Sequence, residues 1–350
     1  MSKSLAGLRQ SLDKWWWRPD RKRLATANFA VVALATAVAG TASLLIEDAL
    51  PKPGEHAVIV PIRLILLIIL LGLLWGALWL RTHTYHSGGT LYYTHALAEG
   101  MSDLRRDALT QAGAHHMALR TLSRWIDLPD NTNQHGVIDI HPTCAEIGAS
   151  LENLINNDNP DTGYTVAPNL LWPIALAVGT YLPPVLDTRL LELNPAPADS
   201  PTIRLGGTTP ITLTHTTTEL DPTGARTAIV LAFTPAAAGF TTTALAGFGI
   251  NTMHTLAGPD GAPTTATPPL TTSQLAALPR ALADHLEPLA GSGERVVIAF
   301  LPKTVALALG WELSRKRIRF FAGTHLMHYN NGTFIPMRVH PSQPTTPPTP

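Results

Sequence analysis

Apolar positions fall along this chain in three regimes. The first is near-continuous: Leu24–Ile46 carries no charge, and Val58–Leu80 is broken only by Arg63. Each run is long enough to cross ~30 Å of hydrocarbon at ~1.5 Å per helical residue. The second is the spaced pattern of Leu91–Ile126, where Leu97, Met101, Leu104, Leu109, Met117, Leu119 and Leu122 predict a mostly helical stretch with an inward face. The third consists of short apolar runs that end in turn residues, the mark of strands buried on both faces. Gly136–Ile140 closes on His141-Pro142-Thr143, Tyr164–Asn169 on a turn before Trp172, Ala228–Phe233 on Thr234-Pro235, and Arg295–Leu301 on Pro302-Lys303-Thr304.

Two of these short runs head the same pattern. Ile174-Ala-Leu-Ala-Val-Gly179 follows the first, with a returning strand at Arg189–Leu193. Val305-Ala-Leu-Ala-Leu-Gly310 follows the other, with a returning strand expected at Arg317–Phe321. Setting Gly179 against Gly310 brings the copies into step, so the pattern predicts a duplicated strand–turn–helix unit. Further expectations are a hairpin of Thr202–Leu205 with Pro210–Thr216, a helix over Ser273–Leu289, a closing hairpin around Asn330-Asn331-Gly332, and a disordered tail over 342–350.

Charge orients the two long runs. Residues 1–23 hold seven lysines and arginines against Asp13 and Asp20, and the bridge Glu47–Ala57 is net acidic. The positive-inside rule then places the N-terminus and everything after Arg81 in the cytoplasm, with Trp15–Trp17, Trp75 and Trp79 at one interface. Arg63 is expected to snorkel or to pair with Glu47 or Asp48. The domain reading is a basic N-terminus (1–23), two transmembrane helices (24–46 and 58–80), a helical connector (81–127), two α/β halves (128–195 and 196–341) and the tail.

The 350 residues balance to zero net charge, which argues against a polyanion-binding protein of the histone or repressor kind. The single cysteine, Cys144, excludes a disulfide framework and a Cys-based zinc site, and reads as a small buried residue. No Gly-x-Ser-x-Gly, P-loop or dinucleotide fingerprint follows any strand, and His-Glu-x-x-His is absent, so neither an enzyme nor a metal site nor a cofactor is expected. What remains is the edge at which parallel strands end and helices begin, where open α/β sheets collect ligands. There Lys303 would supply a charge, Thr304 and Asn169 hydrogen bonds, Trp172 a stacking face and the helix N-termini dipoles for phosphates. Pro302, His141, Thr143 and Thr234 belong to the same class of turn. Arg315-Lys316-Arg317-Arg319 is a basic cluster that reads equally as a solvated face, a contact with a neighbouring copy or a ligand site.

Val296–Val339 resembles the end of the SAVED domain in its apolar strand, Pro turn, Ala-Leu-Ala-Leu-Gly helix, returning strand and Phe334-Ile335-Pro336. Tyr164–Leu193, with its Ala-Pro-Asn and Trp-Pro, resembles it too, and the likeness spans about residues 130–340. It implies a transmembrane hairpin joined to a soluble α/β domain of two fused CARF-like Rossmann halves. It further implies a cyclic di- or trinucleotide second messenger as ligand, made by a cGAS-like nucleotidyltransferase in CBASS anti-phage defence. The chain is similar in layout to the two-transmembrane SAVED effectors, in which ligand-driven self-association gathers the spans and compromises the bacterial inner membrane, ending in abortive infection. The alternative implied by the CARF likeness is a membrane-anchored nucleotide hydrolase or ring nuclease. That reading needs a nucleophile–base pair near Lys303 and Thr304.

Overall fold

The computed structural model describes residues 21–49, 61–87, 89–98, 100–115, 117–128, 131–158, 163–183, 188–193, 201–207, 209–264, 270–291, 293–330 and 333–348. The basic N-terminus to residue 20, most of the 47–57 bridge, nearly all of the Pro195–Pro201 linker and the Asn331-Gly332 turn lie outside them. The chain divides into two units, a helical one comprising Met1–Thr90 with Ala112–Ala118 and Asp161–Gly163, and an α/β one comprising the rest.

In the first unit the two long apolar runs are helices α1 (Arg21–Ala49) and α2 (Pro61–Ser87). Within them Thr26–Asp48 and Pro61–Thr82, with mean hydropathy 2.2 and 2.4, are long and apolar enough to cross a membrane. Their apolar side chains point outward, with Phe29, Ile62 and Trp75 each more than 70% exposed. That is the reverse of a soluble protein's core helix. The hydroxyls of Thr36 and Thr41 turn back onto the carbonyls of Val32 and Ala37, so neither is left unsatisfied. Arg63 Nη1 meets Asp48 Oδ1 at 2.6 Å, one of the alternatives left open by the sequence.

The second unit carries two sheets. Strands β1 (Thr90–Leu97), β2 (Ala118–Trp125), β4 (Tyr164–Asn169), β5 (Arg189–Leu191) and β6 (Thr202–Arg204) form one, in the order β2-β1-β4-β5-β6. The other has the order β3-β12-β11-β10-β8-β9-β7. Its strands are β3 (Ile138–Asp139), β7 (Thr214–Glu219), β8 (Arg226–Ala232), β9 (Ile250–Ala257), β10 (Arg295–Phe300), β11 (Thr324–Asn330) and β12 (Thr333–Arg338). Its centre, β9-β8-β10-β11, is parallel, and the outer pairs β7–β9 and β11–β12 are antiparallel.

Four of the helices are α4 (His141–Asn156), α5 (Trp172–Gly179), α6 (Thr272–Leu286) and α7 (Lys303–Arg315). A single core joins them to Val166, Leu190 and Ile203 of the first sheet and to Ile229, Leu231, Val297 and Leu326 of the second. The period-2 alternation of β8 and β10 sends Val230, Val296, Ile298 and Phe300 to a separate core on the opposite face. Hence both faces of those strands read as continuous apolar runs in the sequence. Helix α5 is apolar all round because seven of its eight residues are buried. Burying Ile174, Leu176 and Val178 contributes about 1.5–3 kcal/mol each.

Several expectations are corrected. Leu91–Ile126 is not mostly helical: β1 and β2 flank a ten-residue helix, α3 (Arg105–Ala114). Leucine spacing alone suggested helix, but Thr90-Leu-Tyr-Tyr-Thr94 is rich in strand formers and is buried on both faces. The segments expected to pair as a hairpin around Gly206-Gly207 instead give β6 and β7, which belong to different sheets. The strand expected to open the first half, β3, pairs with β12 in the second sheet. Residues 317–321 form no strand, and the return is β11 at Thr324–Asn330. The tail is not disordered from residue 342. Gln343 is 4% exposed, and its amide bonds the N–H groups of Val339 and His340 and the carbonyls of Thr324 and Met337.

Candidate functional site

The repeat read from the sequence is present in the backbone. Strand β4 and helix α5 match β10 and α7 with every start displaced by 131 positions. The residue before each helix holds the same conformation, Leu171 at φ −59°, ψ 145° and Pro302 at φ −56°, ψ 145°. The copies meet at their aligned glycines. A Cβ on Gly179 would stand 2.0 Å from the carbonyl oxygen of Leu307, and one on Gly310 would stand 1.9 Å from that of Leu176, the equivalent residue. Only glycine permits this approach. The contact is reciprocal, so a local twofold relates the two copies of the repeat.

Lys303 ties the other ends of these helices together. Its Nζ donates to Asn169 Oδ1 at 2.5 Å, joining the last residue of β4 to the first of α7. Both strand-to-helix turns therefore open on one side. Asn169 is buried, and its Nδ2 donates to Tyr93 Oη at 3.1 Å and to the Ser102 carbonyl at 2.9 Å. Tyr93 in turn donates to Asp103 Oδ1 at 2.9 Å, accepts from the Leu104 N–H and stacks on His95 at 4.8 Å. Burial pushes the Tyr93 phenol up to about 12, and its bond to Asp103 adds to the rise while Asn169 opposes it. Burial lowers the Lys303 ammonium below its ordinary value, against the opposing pull of Glu192.

Glu192 caps α7. Pro302 is the N-cap residue and offers no side-chain acceptor. Glu192, one residue beyond β5, accepts from Thr304 N at 2.8 Å, Thr304 Oγ1 at 2.6 Å and Lys303 N at 3.3 Å. A carboxylate thus occupies the helix N-terminus that was expected to meet phosphate, satisfying two of its orphan donors and complementing its dipole.

Lys303, Thr304, Pro302, Asn169 and Thr234 share one edge. Thr234 follows β8, which is parallel to β10 with Ala232 opposite Phe300. Trp172 opens α5 and is half-buried against the core. His141 and Thr143 do not join them. They follow β3, which is parallel to β12, and β12 is antiparallel to β11, so β3 points the opposite way to β10. His141 belongs to a separate cluster: its Nδ1 lies 2.7 Å from Asp139 Oδ1, and Arg338 reaches Asp139 Oδ2 at 2.6 Å. Burial works to raise the Asp139 carboxyl, yet the bonds from His141 and Arg338 hold it below its usual value. Cys144 is fully buried, and burial pushes its thiol up, as befits a packing residue.

Sequence reasoning missed Glu192, Tyr93, Ser102 and Asp103. Glu192 carried a usable signal, an acid directly after a strand at the ligand-collecting edge. The other three lie in the stretch misread as helix. Among the described residues no group of three or more His, Cys, Asp or Glu side chains is placed to hold a metal ion.

No known family profile and no curated protein matches the chain. Solved structures do. One is the Acinetobacter baumannii Cap4 SAVED/CARF-domain containing receptor with the cyclic trinucleotide 2'3'3'-cAAA, at 13% identity and a TM-score of 0.43, covering 77% of this chain and 55% of that one. The same receptor with 3'3'3'-cAAA matches at 12% identity and a TM-score of 0.41. The Moraxella osloensis Cap4 SAVED/CARF-domain containing receptor matches at 11% identity and a TM-score of 0.40, covering 79% of this chain and 58% of that one. The chain spans less than two thirds of the length of these receptors, and at these identities the similarity is one of fold.

Proposed function

We propose that this protein is a ligand-gated membrane effector that performs no chemistry of its own. Its α/β unit binds a cyclic di- or trinucleotide where the β4–α5 and β10–α7 turns meet, and α1 and α2 sit in the bacterial inner membrane with the α/β unit in the cytoplasm. The observation that carries this reading is the reciprocal Gly179–Gly310 contact. It sets two equivalent turns side by side about a local twofold, which suits a ligand whose own halves repeat. Lys303 faces the phosphates as a partly desolvated cation, and Thr234 and Trp172 flank it. In this reading a cGAS-like nucleotidyltransferase supplies the ligand, binding favours self-association, and the gathered helices disrupt the bilayer, so that an infected cell is lost. Ligand must then bind the assembled form more tightly than the single chain.

The test is a calorimetric titration of the full chain in detergent with a panel of cyclic di- and trinucleotides, with particle size followed by light scattering and the nucleotide recovered afterwards. One compound binding tightly, with growth in size and unchanged nucleotide, is the expected result. A well-folded chain that binds none of the panel, or that returns a cleaved nucleotide, contradicts the proposal.

A further inference from the structure

A cavity of about 440 Å³ lies away from Lys303, at the C-terminal end of α7 and beside the residue that ends α5. That volume is in the range of small-molecule sites, about 300–1,000 Å³. Its floor is apolar, built on Leu313 and Phe320, and one wall is the Phe321 ring stacked on His340 at 4.5 Å and 12°. Every formal charge on its lining is positive: Arg317 and Arg319 line it, and no Asp or Glu does. Both arginines are exposed, and among the described residues neither forms an ion pair. By contrast the neighbouring Arg315 and Lys316 are paired, to Glu312 and Asp284.

The surroundings sharpen this bias. Arg295 is buried behind the same wall and donates to the carbonyls of Phe320 and Ala322, and among the described residues it forms no ion pair. The helix C-termini bring partial negative charge. At α7, however, the carbonyls of Glu312, Leu313 and Ser314 are already taken by the N–H groups of Lys316, Ile318 and Arg317. That pattern closes the helix in the manner that normally places glycine at position 317. Arg317 stands there instead, at φ 57°, a conformation that costs an L-residue with a Cβ. A strained arginine that is unpaired and lines a cavity points to a role outside folding.

We propose that this cavity is a second ligand site, for a small organic anion with a flat apolar body, held by Arg317 and Arg319 against the Phe321–His340 pair. Inorganic phosphate, phenyl phosphate and benzyl alcohol are the probes, titrated calorimetrically into the full chain in detergent. Phenyl phosphate binds about tenfold tighter than inorganic phosphate, and benzyl alcohol gives no signal. Arg317→Gly relieves the backbone, so its melting temperature rises while phenyl phosphate binding weakens about tenfold. Arg319→Gln weakens it similarly. Equal affinity for the two phosphates, or unchanged binding in both variants, overturns the proposal. So does binding that is lost in Lys303→Ala but kept in Arg317→Gly, which would place the anion at the other edge.

Discussion

Lys303 is held between two demands. The fold withdraws it partly from water and lowers its pKa, and Asn169 Oδ1 accepts its hydrogen bond at 2.5 Å, with Tyr93 and Asp103 behind. A bound phosphate would raise that pKa again. Ligand affinity should therefore be complete below the free-state Lys303 pKa, and fall as pH rises from that lowered value towards the raised value of the complex. Titrations at a series of alkaline pH values check this, and affinity that rises with pH would exclude Lys303 from the site. Lys303→Ala should cost about 1.5–3 kcal/mol of binding, about ten- to a hundredfold in affinity, with the chain still folded. Glu192→Gln exchanges a charged cap for a neutral one and should destabilise the fold by about 1 kcal/mol, measured by denaturant melts. At this scale the sequence yielded Lys303 and Asn169 as members of one edge, because a turn after a buried strand is a local pattern. It did not yield their contacts. Asn169 lies 76 positions from Tyr93, and Lys303 lies 111 from Glu192, so no local pattern links them.

The element that organises the α/β unit is the strand–turn–helix repeat, and the aligned glycines show why it is legible. A close helix crossing has to spend a residue without a side chain at the crossing point, and both copies spend it at the same place. Gly179→Ala or Gly310→Ala would drive a Cβ to within 2.0 Å of a backbone oxygen, which no rotamer change relieves. Each should destabilise the protein by about 3 kcal/mol, the upper end of overpacking costs, read from thermal or denaturant unfolding. Gly113→Ala in α3 is the contrast: nothing lies within 4 Å of its Cβ, and helix propensity alone should stabilise by about 0.5–1 kcal/mol. Elements that depend on distant partners were not legible. Nothing within Ile138–Asp139 says that its partner is β12, nearly 200 residues on, and this is why His141 and Thr143 were grouped with the wrong edge. The return after α7 was set too early because the sequence of Arg317–Phe321 looks like a strand, whereas the backbone there completes a helix cap.

On the scale of the whole molecule, the proposal requires that α1 and α2 cross the membrane with their connection outside. Cys144 is the only cysteine and is fully buried, so it is silent towards reagents in the folded protein. A Lys52→Cys variant, placed in the bridge, should then be labelled by a membrane-impermeant maleimide in intact cells. Labelling only after permeabilisation would reverse the topology. The two long helices were readable because an uninterrupted apolar run of the length a bilayer crossing demands is a local pattern. The assembly that would follow ligand binding was not, since a surface patch carries no period.

The central claim is that one ligand engages both copies of the repeat. Hydrogen–deuterium exchange of the full chain, with and without the cyclic nucleotide that binds it, tests this most directly. The account predicts protection of both turns together, in peptides covering residues 169–175 and 300–306. Protection of one turn alone, or of neither while another region is protected, would contradict it.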